Sequence, residues 1–215
     1  MRNSTLRGGG LRLLILSIAL VLMPMVCVVH EAEAASSSSQ ASKVKKIIKK
    51  VIKAKNPKKT YKALSSANKK LLKKELKSGP VKTRVISGTS PLAMPQGSTD
   101  GSCWSKTVEN TFYGGVTRSR LFAVTNTTRV CIENGAVKQV SVVEAFQEAF
   151  SMGWHGKGVS KSVLNVGWEG RGVARGSFAW GAGGWDLLSK LLCSQMRLNK
   201  NFVNYAASQK CSVNG

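Results

Sequence analysis

Catalytic side chains are what this chain has least of. Its 215 residues hold two histidines and ten acids against thirty-three lysines and arginines. His30 falls in an N-terminal segment marked for removal, so a histidine-based acid/base mechanism has only His155 to use. Cysteine is scarce, at five, and no two stand in a CxxC pair, so nothing has the form of a zinc or thioredoxin-type site. No serine or cysteine lies in a nucleophile-elbow sequence. No apolar run reaches the roughly 20 residues of a membrane-spanning helix. The run from Leu13 to Val29 is seventeen residues, interrupted by Ser17.

That run instead completes an export signal over residues 1–34. Arg2, Arg7 and Arg12 form the positive region before it, and Ala32-Glu33-Ala34 offers small residues where a signal peptidase reads, predicting cleavage before Ala35. Val26 precedes Cys27 where a lipid-anchor signal needs a small residue, so lipidation is not expected. Removal leaves thirty basic and eight acidic side chains, a net of +22. It also leaves four cysteines, Cys103, Cys131, Cys193 and Cys211. An even number in an exported chain predicts two disulfides, with three connectivities open.

What the chain has in excess is lysine, and it is concentrated. Residues 35–42 are a serine-rich spacer expected to be disordered. Residues 43–79 then form a basic arm in which Lys43 to Lys77 holds fifteen lysines and one acid, Glu75. Val44, Ile47, Ile48, Val51 and Ile52 recur with the period of one helix face, as do Leu64, Ala67, Leu71, Leu72 and Leu76. Asn56-Pro57 separates the two halves, because proline lacks a backbone donor and disfavours helix before it. The spacing predicts two amphipathic helices, stopped by Ser78-Gly79-Pro80. Lys45, Lys46, Lys49, Lys50, Lys53, Lys69, Lys70, Lys73 and Lys74 are the candidate polyanion-binding residues. Tyr61 is the arm's only aromatic, so sequence-specific nucleic-acid binding is not indicated.

Residues 80–101 read as linker, with one short strand at Val81–Ile86. From 102 to 215 the pattern changes to short runs of β-branched and aromatic residues broken by glycine. Strands are expected at Leu121–Thr125, Thr128–Glu133 and Lys138–Val143, with Asn134-Gly135 as a type I′ turn. Val159–Trp168 and Val173–Trp180 are expected to flank a turn at Glu169–Gly172. Val142–Phe150 is ambiguous between helix and strand. Trp185–Leu192 reads as helix, and Phe202–Ala206 as a final strand. The fold class expected is mainly β, an antiparallel sandwich or small barrel with two disulfides, preceded by the basic helical arm.

Two stretches invite a functional reading. Gly153-Trp154-His155-Gly156-Lys157-Gly158 and Gly167-Trp168-Glu169-Gly170-Arg171-Gly172 share the form G-W-x-G-[KR]-G. Trp154 and Trp168 are candidates for stacking on a ligand in a shared groove, but the favoured expectation is two equivalent hairpin corners with both rings in the core. The run Gly170 to Gly176 fails as a phosphate loop, because Arg175 stands where glycine is needed and a strand follows in place of a helix. The acids available to pair with each other or to orient His155 are Glu133, Glu144, Glu148, Glu169 and Asp186.

The order Leu121 to Val140, LFAVTNTTRVCIENGAVKQV, followed by Gly176-Ser177-Phe178, resembles the core of uncharacterised secreted bacterial β-domains with disulfides. It departs from them at Val130, where they have tryptophan. The resemblance implies a disulfide-linked β fold of no assigned activity, and no functional residue is carried over from it.

The expectation for function is an exported, non-enzymatic protein with no cofactor or metal. Its partner would be an anionic envelope polymer or an anionic membrane surface, met by the arm's lysines with the Val44–Ile52 face buried at the interface. The alternatives are a wall-active hydrolase built on His155 and a carboxylate, or an antimicrobial or toxin-like effector.

Overall fold

A computed structural model describes residues 27–86, 102–201 and 205–214. Most of the expected export signal and the stretch 87–101 lie outside them. The chain divides into two compact units, Met1–Ser36 and Ser37–Gly215. The first helix, α1 (Cys27–Ile52), is followed by α2 (Pro57–Lys62) and α3 (Ser66–Lys77). Eight strands complete the order: β1 (Val81–Ile86), β2 (Ser102–Tyr113), β3 (Arg120–Glu133), β4 (Ala136–Ala149), β5 (Trp154–Asn165), β6 (Glu169–Ala182), β7 (Trp185–Asn199) and β8 (Tyr205–Ser208).

The helical arm has three helices where the spacing predicts two. Asn56 caps α2 by accepting from the Lys59 N–H at 2.9 Å, with Pro57 in the first turn, where its missing donor costs nothing. Ser65 caps α3 in the same way through Asn68 and so divides the second half. The spacer at 35–42 is helical, not disordered. No glycine or proline interrupts it, and extending a helix already nucleated over Val44–Ile52 adds one hydrogen bond per residue fixed.

The strands form two antiparallel four-stranded meanders, in the orders β1-β2-β3-β4 and β5-β6-β7-β8, packed face to face as a sandwich and not closed into a barrel. Asn134 (φ 51°) and Gly135 (φ 70°) make the expected turn between β3 and β4. The ambiguous Val142–Phe150 stretch is strand, paired along β3. Three expectations are corrected. Trp185–Leu192 is not helix but the first half of β7: its leucines have helical spacing, yet pairing with β6 through the Gly183-Gly184 turn (φ 59° and 76°) outweighs propensity. The turn expected at Glu169–Gly172 lies earlier, around Gly167 (φ 81°), where the Val166 N–H donates to the Glu169 carbonyl. The last strand is Tyr205–Ser208, displaced from Phe202–Ala206, whose residues 202–204 lie outside the described ones.

The glycines once weighed as a phosphate loop have a packing role. Gly170, Gly172 and Gly176 alternate along the inward face of β6, and a Cβ on each would overlap Val130, Thr128 and Val124 of β3. Their absence of side chains lets the sheets approach until Asn126 of β3 donates to the carbonyls of Gly172 and Ser194, both at 2.9 Å. Asn110 of β2 reaches the Cys193 carbonyl at 2.6 Å. Buried amides thus tie sheet to sheet through backbone oxygens. The disulfides are Cys103–Cys131, joining β2 to β3, and Cys193–Cys211, holding the C-terminal segment against β7. Arg171 and Arg175 donate to the carbonyls of Val213 and Cys211 and help fix that segment.

Substituting Gly172→Ala is expected to cost about 1–3 kcal/mol, the penalty of overfilling a packed interior. A urea titration checks it, with Ser177→Ala on the exposed face expected to stay within about 0.5 kcal/mol of the parent.

Candidate polyanion-binding surface

The connections β2–β3, β4–β5 and β6–β7 gather at one end of the sandwich, where the inner faces of the sheets are aromatic. Phe122 stacks on Phe178 at 4.3 Å and on Phe112 at 5.0 Å, with Trp154 tilted against it at 4.4 Å. The three helices cover this end. Val44, Ile47, Ile48, Val51, Leu64, Leu72 and Leu76 are all buried and share one core with Phe112, Phe122, Trp154, Phe178 and Trp180. Val44, Val51 and Leu72 have no exposed surface. Ile52 seats on Gly153, where an added Cβ would lie 2.6 Å from its Cδ1. Tyr61 of α2 meets Trp185 at 5.7 Å. The apolar face read as interface-seeking is therefore turned inward, and the arm is a docked cap.

Two charged groups fasten it. Glu75 sits on the buried face with Leu72 and Leu76, and its carboxylate accepts from the N–H groups of Val116 (2.8 Å) and Thr117 (2.9 Å) and from the Thr117 hydroxyl. Gly114 and Gly115 make room, since a Cβ at Gly114 would lie 2.5 Å from Glu75 Cδ and one at Gly115 would overlap the Lys74 carbonyl. At the end of α3, Lys190 of β7 donates to the Lys77 carbonyl at 3.0 Å, its ammonium 3.8 Å from the Phe112 ring centre. A cation there meets an unpaired helix carbonyl and the negative end of the helix dipole. Desolvation, and then the neighbouring Lys77 charge, push the Lys190 pKa below its usual value.

With the apolar face inside, the lysines point out. Lys45, Lys46, Lys49, Lys50, Lys53, Lys70, Lys73 and Lys74 are exposed. So are Lys43, Lys55, Lys58, Lys59, Lys62 and Lys77, giving fourteen exposed lysines on the cap. Lys69 is the exception: it is half-buried, donates to the Lys62 carbonyl at 2.7 Å and lies over Tyr61. Among the described residues, no cap lysine is paired with a carboxylate. Lys73 and Lys77 border a small cleft of about 240 Å³ with Tyr61, Leu76, Leu187 and Leu188.

The other candidates are dispersed. Trp154 is 6% exposed in the core under the cap, whereas Trp168 is 56% exposed in the turn after β5, at the opposite end of that strand. They line no common groove, and they are not equivalent corners. His155 places Nε2 3.1 Å from Asp186 Oδ1 and Nδ1 3.3 Å from the Gly153 carbonyl, while Lys157 holds Asp186 Oδ2 at 2.8 Å. Both ring nitrogens are turned toward protein oxygens. The nearby depression, lined by Lys157, Ser177, Phe178, Ser189, Lys190 and Leu191, contains neither His155 nor an acid. Glu169 is buried against Arg171 at 2.5 Å, and Glu144 accepts from the Thr127 hydroxyl at 3.4 Å. Glu133 and Glu148 enter no ion pair among the described residues, and those residues contain no metal-competent cluster. Compared with known protein families, curated proteins and solved structures, the chain matches none.

Glu75 and Lys190 are the functional-surface residues that the spacing analysis passes over. Glu75 carries a signal in retrospect: Leu72, Glu75 and Leu76 lie at i, i+3 and i+4, placing the arm's one acid on its apolar face. Lys190 carries none, because nothing in the sequence around it marks the α3 terminus as its partner.

Replacing Glu75 by alanine leaves three part-buried donors without their carboxylate and is expected to lower stability by about 1–3 kcal/mol, read from chemical denaturation. The hydrogen bond from Lys157 is the main cause holding the Asp186 pKa below 3.8, supported by the charges of Lys157 and His155 and opposed by burial. Its stabilisation is present above the unfolded-state value and is lost as pH falls through the folded one. Asp186→Asn should therefore flatten the decline of stability below about pH 4, measured by denaturation across acid pH.

Proposed function

We propose that this chain is an exported, non-enzymatic protein that binds anionic surface, either envelope polymer or anionic lipid, through the lysine face of its helical cap. The observation that carries the reading is the fourteen exposed lysines at one end of the fold, with no carboxylate partner among the described residues. Counterions condensed on a polyanion are released when such cations replace them, which gives affinity that falls steeply with salt. Two disulfides are compatible with an extracellular location. No helix among the described residues is long and apolar enough to cross a membrane. The cap's one aromatic, Tyr61, is half-buried and packed on Trp185, so base stacking has no support there.

The four-fold variant of Lys45, Lys46, Lys49 and Lys50 to glutamine should weaken sedimentation with anionic vesicles or teichoic-acid-type polymer at least about tenfold at low salt, each lysine near such a surface contributing on the order of 1 kcal/mol. Lys138→Gln with Lys200→Gln, at the opposite end of the sandwich, should leave binding unchanged. Equal binding by the parent and the four-fold variant at low salt would remove the proposal.

A further inference from the structure

The cap's buried face and its exposed face want different environments, and an anionic bilayer satisfies both. Val44, Ile47, Ile48, Val51 and Ile52 form a continuous apolar stripe on α1, backed by exposed Lys45, Lys46, Lys49, Lys50 and Lys53. Such a helix lies stably in a lipid interface with its stripe among acyl chains and its lysines on head groups. In the fold the same stripe lies against Phe122, Trp154 and Trp180. The helices add no strand to either sheet; they attach through apolar packing, the Glu75 carboxylate, the Lys190 ammonium and one backbone bond, from the Gly115 N–H to the Glu75 carbonyl at 3.0 Å. Ser78-Gly79-Pro80 joins α3 to β1, with Gly79 packed against the Tyr113 carbonyl and the Pro80 carbonyl accepting from the Tyr113 N–H at 2.9 Å, so the strand stays anchored at the point where the cap would part from it.

We infer that the Lys43–Lys77 cap has a second, lipid-inserted state, into which contact with an anionic bilayer draws it by exchanging the aromatic end of the sandwich for acyl chains, so that the protein permeabilises such bilayers. The exchange is driven by differential affinity: docked, the cap offers the bilayer its lysines alone, whereas in the inserted state the stripe meets acyl chains and the uncovered Trp154 and Trp180 meet the interface as well. A dissolved wall polymer supplies the anions without the acyl chains and leaves the cap docked. The Glu75 carboxylate in the Val116–Thr117 turn is the latch that has to open. Departure of the cap uncovers Trp154 and Trp180, which are 6% and 0% exposed while it is docked.

This inference rests on the adhesion reading, and the two fail differently. The test uses the full-length protein and vesicles of phosphatidylglycerol with phosphatidylcholine, loaded with a self-quenched dye. A locked variant, Glu75→Cys with Gly114→Cys, places a disulfide where the latch is, since an added Gly114 Cβ lies within 2.5 Å of Glu75 Cδ. A loosened variant, Glu75→Gln, keeps the side-chain shape without the charge. The expected result is vesicle binding by all three proteins, with the locked variant, which keeps its lysine contacts but cannot insert, weaker than the parent. Dye release should fall at least tenfold in the locked variant and rise severalfold in the loosened one. Tryptophan emission should change on lipid addition only where the cap can leave. If the lock does not close, parent against Glu75→Gln decides, provided near-ultraviolet dichroism shows the variant folded. Equal release by parent and variants, or binding by the parent with neither dye release nor a tryptophan change, would overturn insertion while leaving adhesion standing. Absence of vesicle binding by the parent would overturn insertion, and adhesion would then be judged on the polymer alone.

Discussion

Two meandering sheets packed face to face leave an open end, and in this chain that end is lined by Phe112, Phe122, Trp154, Phe178 and Trp180. Aromatic rings exposed together in water would be a site of aggregation. The helical cap covers them, and its placement decides what the rest of the molecule shows to solvent. Once Val44, Ile47, Ile48, Val51, Leu72 and Leu76 turn inward, helical geometry leaves the intervening lysines nowhere to go but outward. The lysine surface is thus a consequence of covering the sandwich. The arm's single acid is absorbed by the same contact, because Glu75 faces the β2–β3 turn and is lost as an internal counterion.

The sandwich itself depends on how little β6 carries on its inner face. Gly170, Gly172, Ala174 and Gly176 give way only at Phe178 and Trp180, so β6 is thin along much of its length and bulky under the cap. Where it is thin, Asn110 and Asn126 can cross to backbone carbonyls of the facing sheet. Where it is bulky, Phe178 and Trp180 share one core with the buried faces of α1 and α3. The taper of one strand therefore connects the sheet packing to the docking of the helices.

Much of this was legible in residue order, and what was not has a physical reason. The apolar spacing of Val44 to Ile52 identifies a helix face, but spacing cannot say whether a protein core or a lipid interface covers it, since both are apolar. Asn134-Gly135 is read correctly because a type I′ turn is a local demand on two residues. Trp185–Leu192 is misread because its leucine spacing suits a helix, while the interaction that decides it, pairing with Gly176–Ala182, is remote in sequence. Glu169–Gly172 is read as a turn for a related reason: glycine marks freedom at a turn and closeness in a packed strand, and composition does not separate the two. The helical spacer at 35–42 was hidden because serine-rich composition speaks to nucleation, whereas that segment only extends a helix anchored elsewhere.

The distribution of acid completes the electrostatic argument. In the sandwich, Glu109 is held by Arg120, Glu169 by Arg171, and Asp186 by Lys157 with His155. Each neutralises a local cation, and none reaches the cap. Among the described residues, Glu144 and Glu148 make no ion pair with a cap lysine either. Fourteen ammonium groups, twelve on the three helices and two, Lys53 and Lys55, in the connection after α1, repel one another, and the apolar contact beneath them outweighs that repulsion. Salt ions are one source of relief, held loosely and exchanged freely. A polyanion is a better one, because it brings many negative charges for the loss of one molecule's freedom and returns the condensed ions to solution. A fold that turns its nearest carboxylate inward, away from its densest cationic surface, has left the neutralisation of that surface to something outside itself.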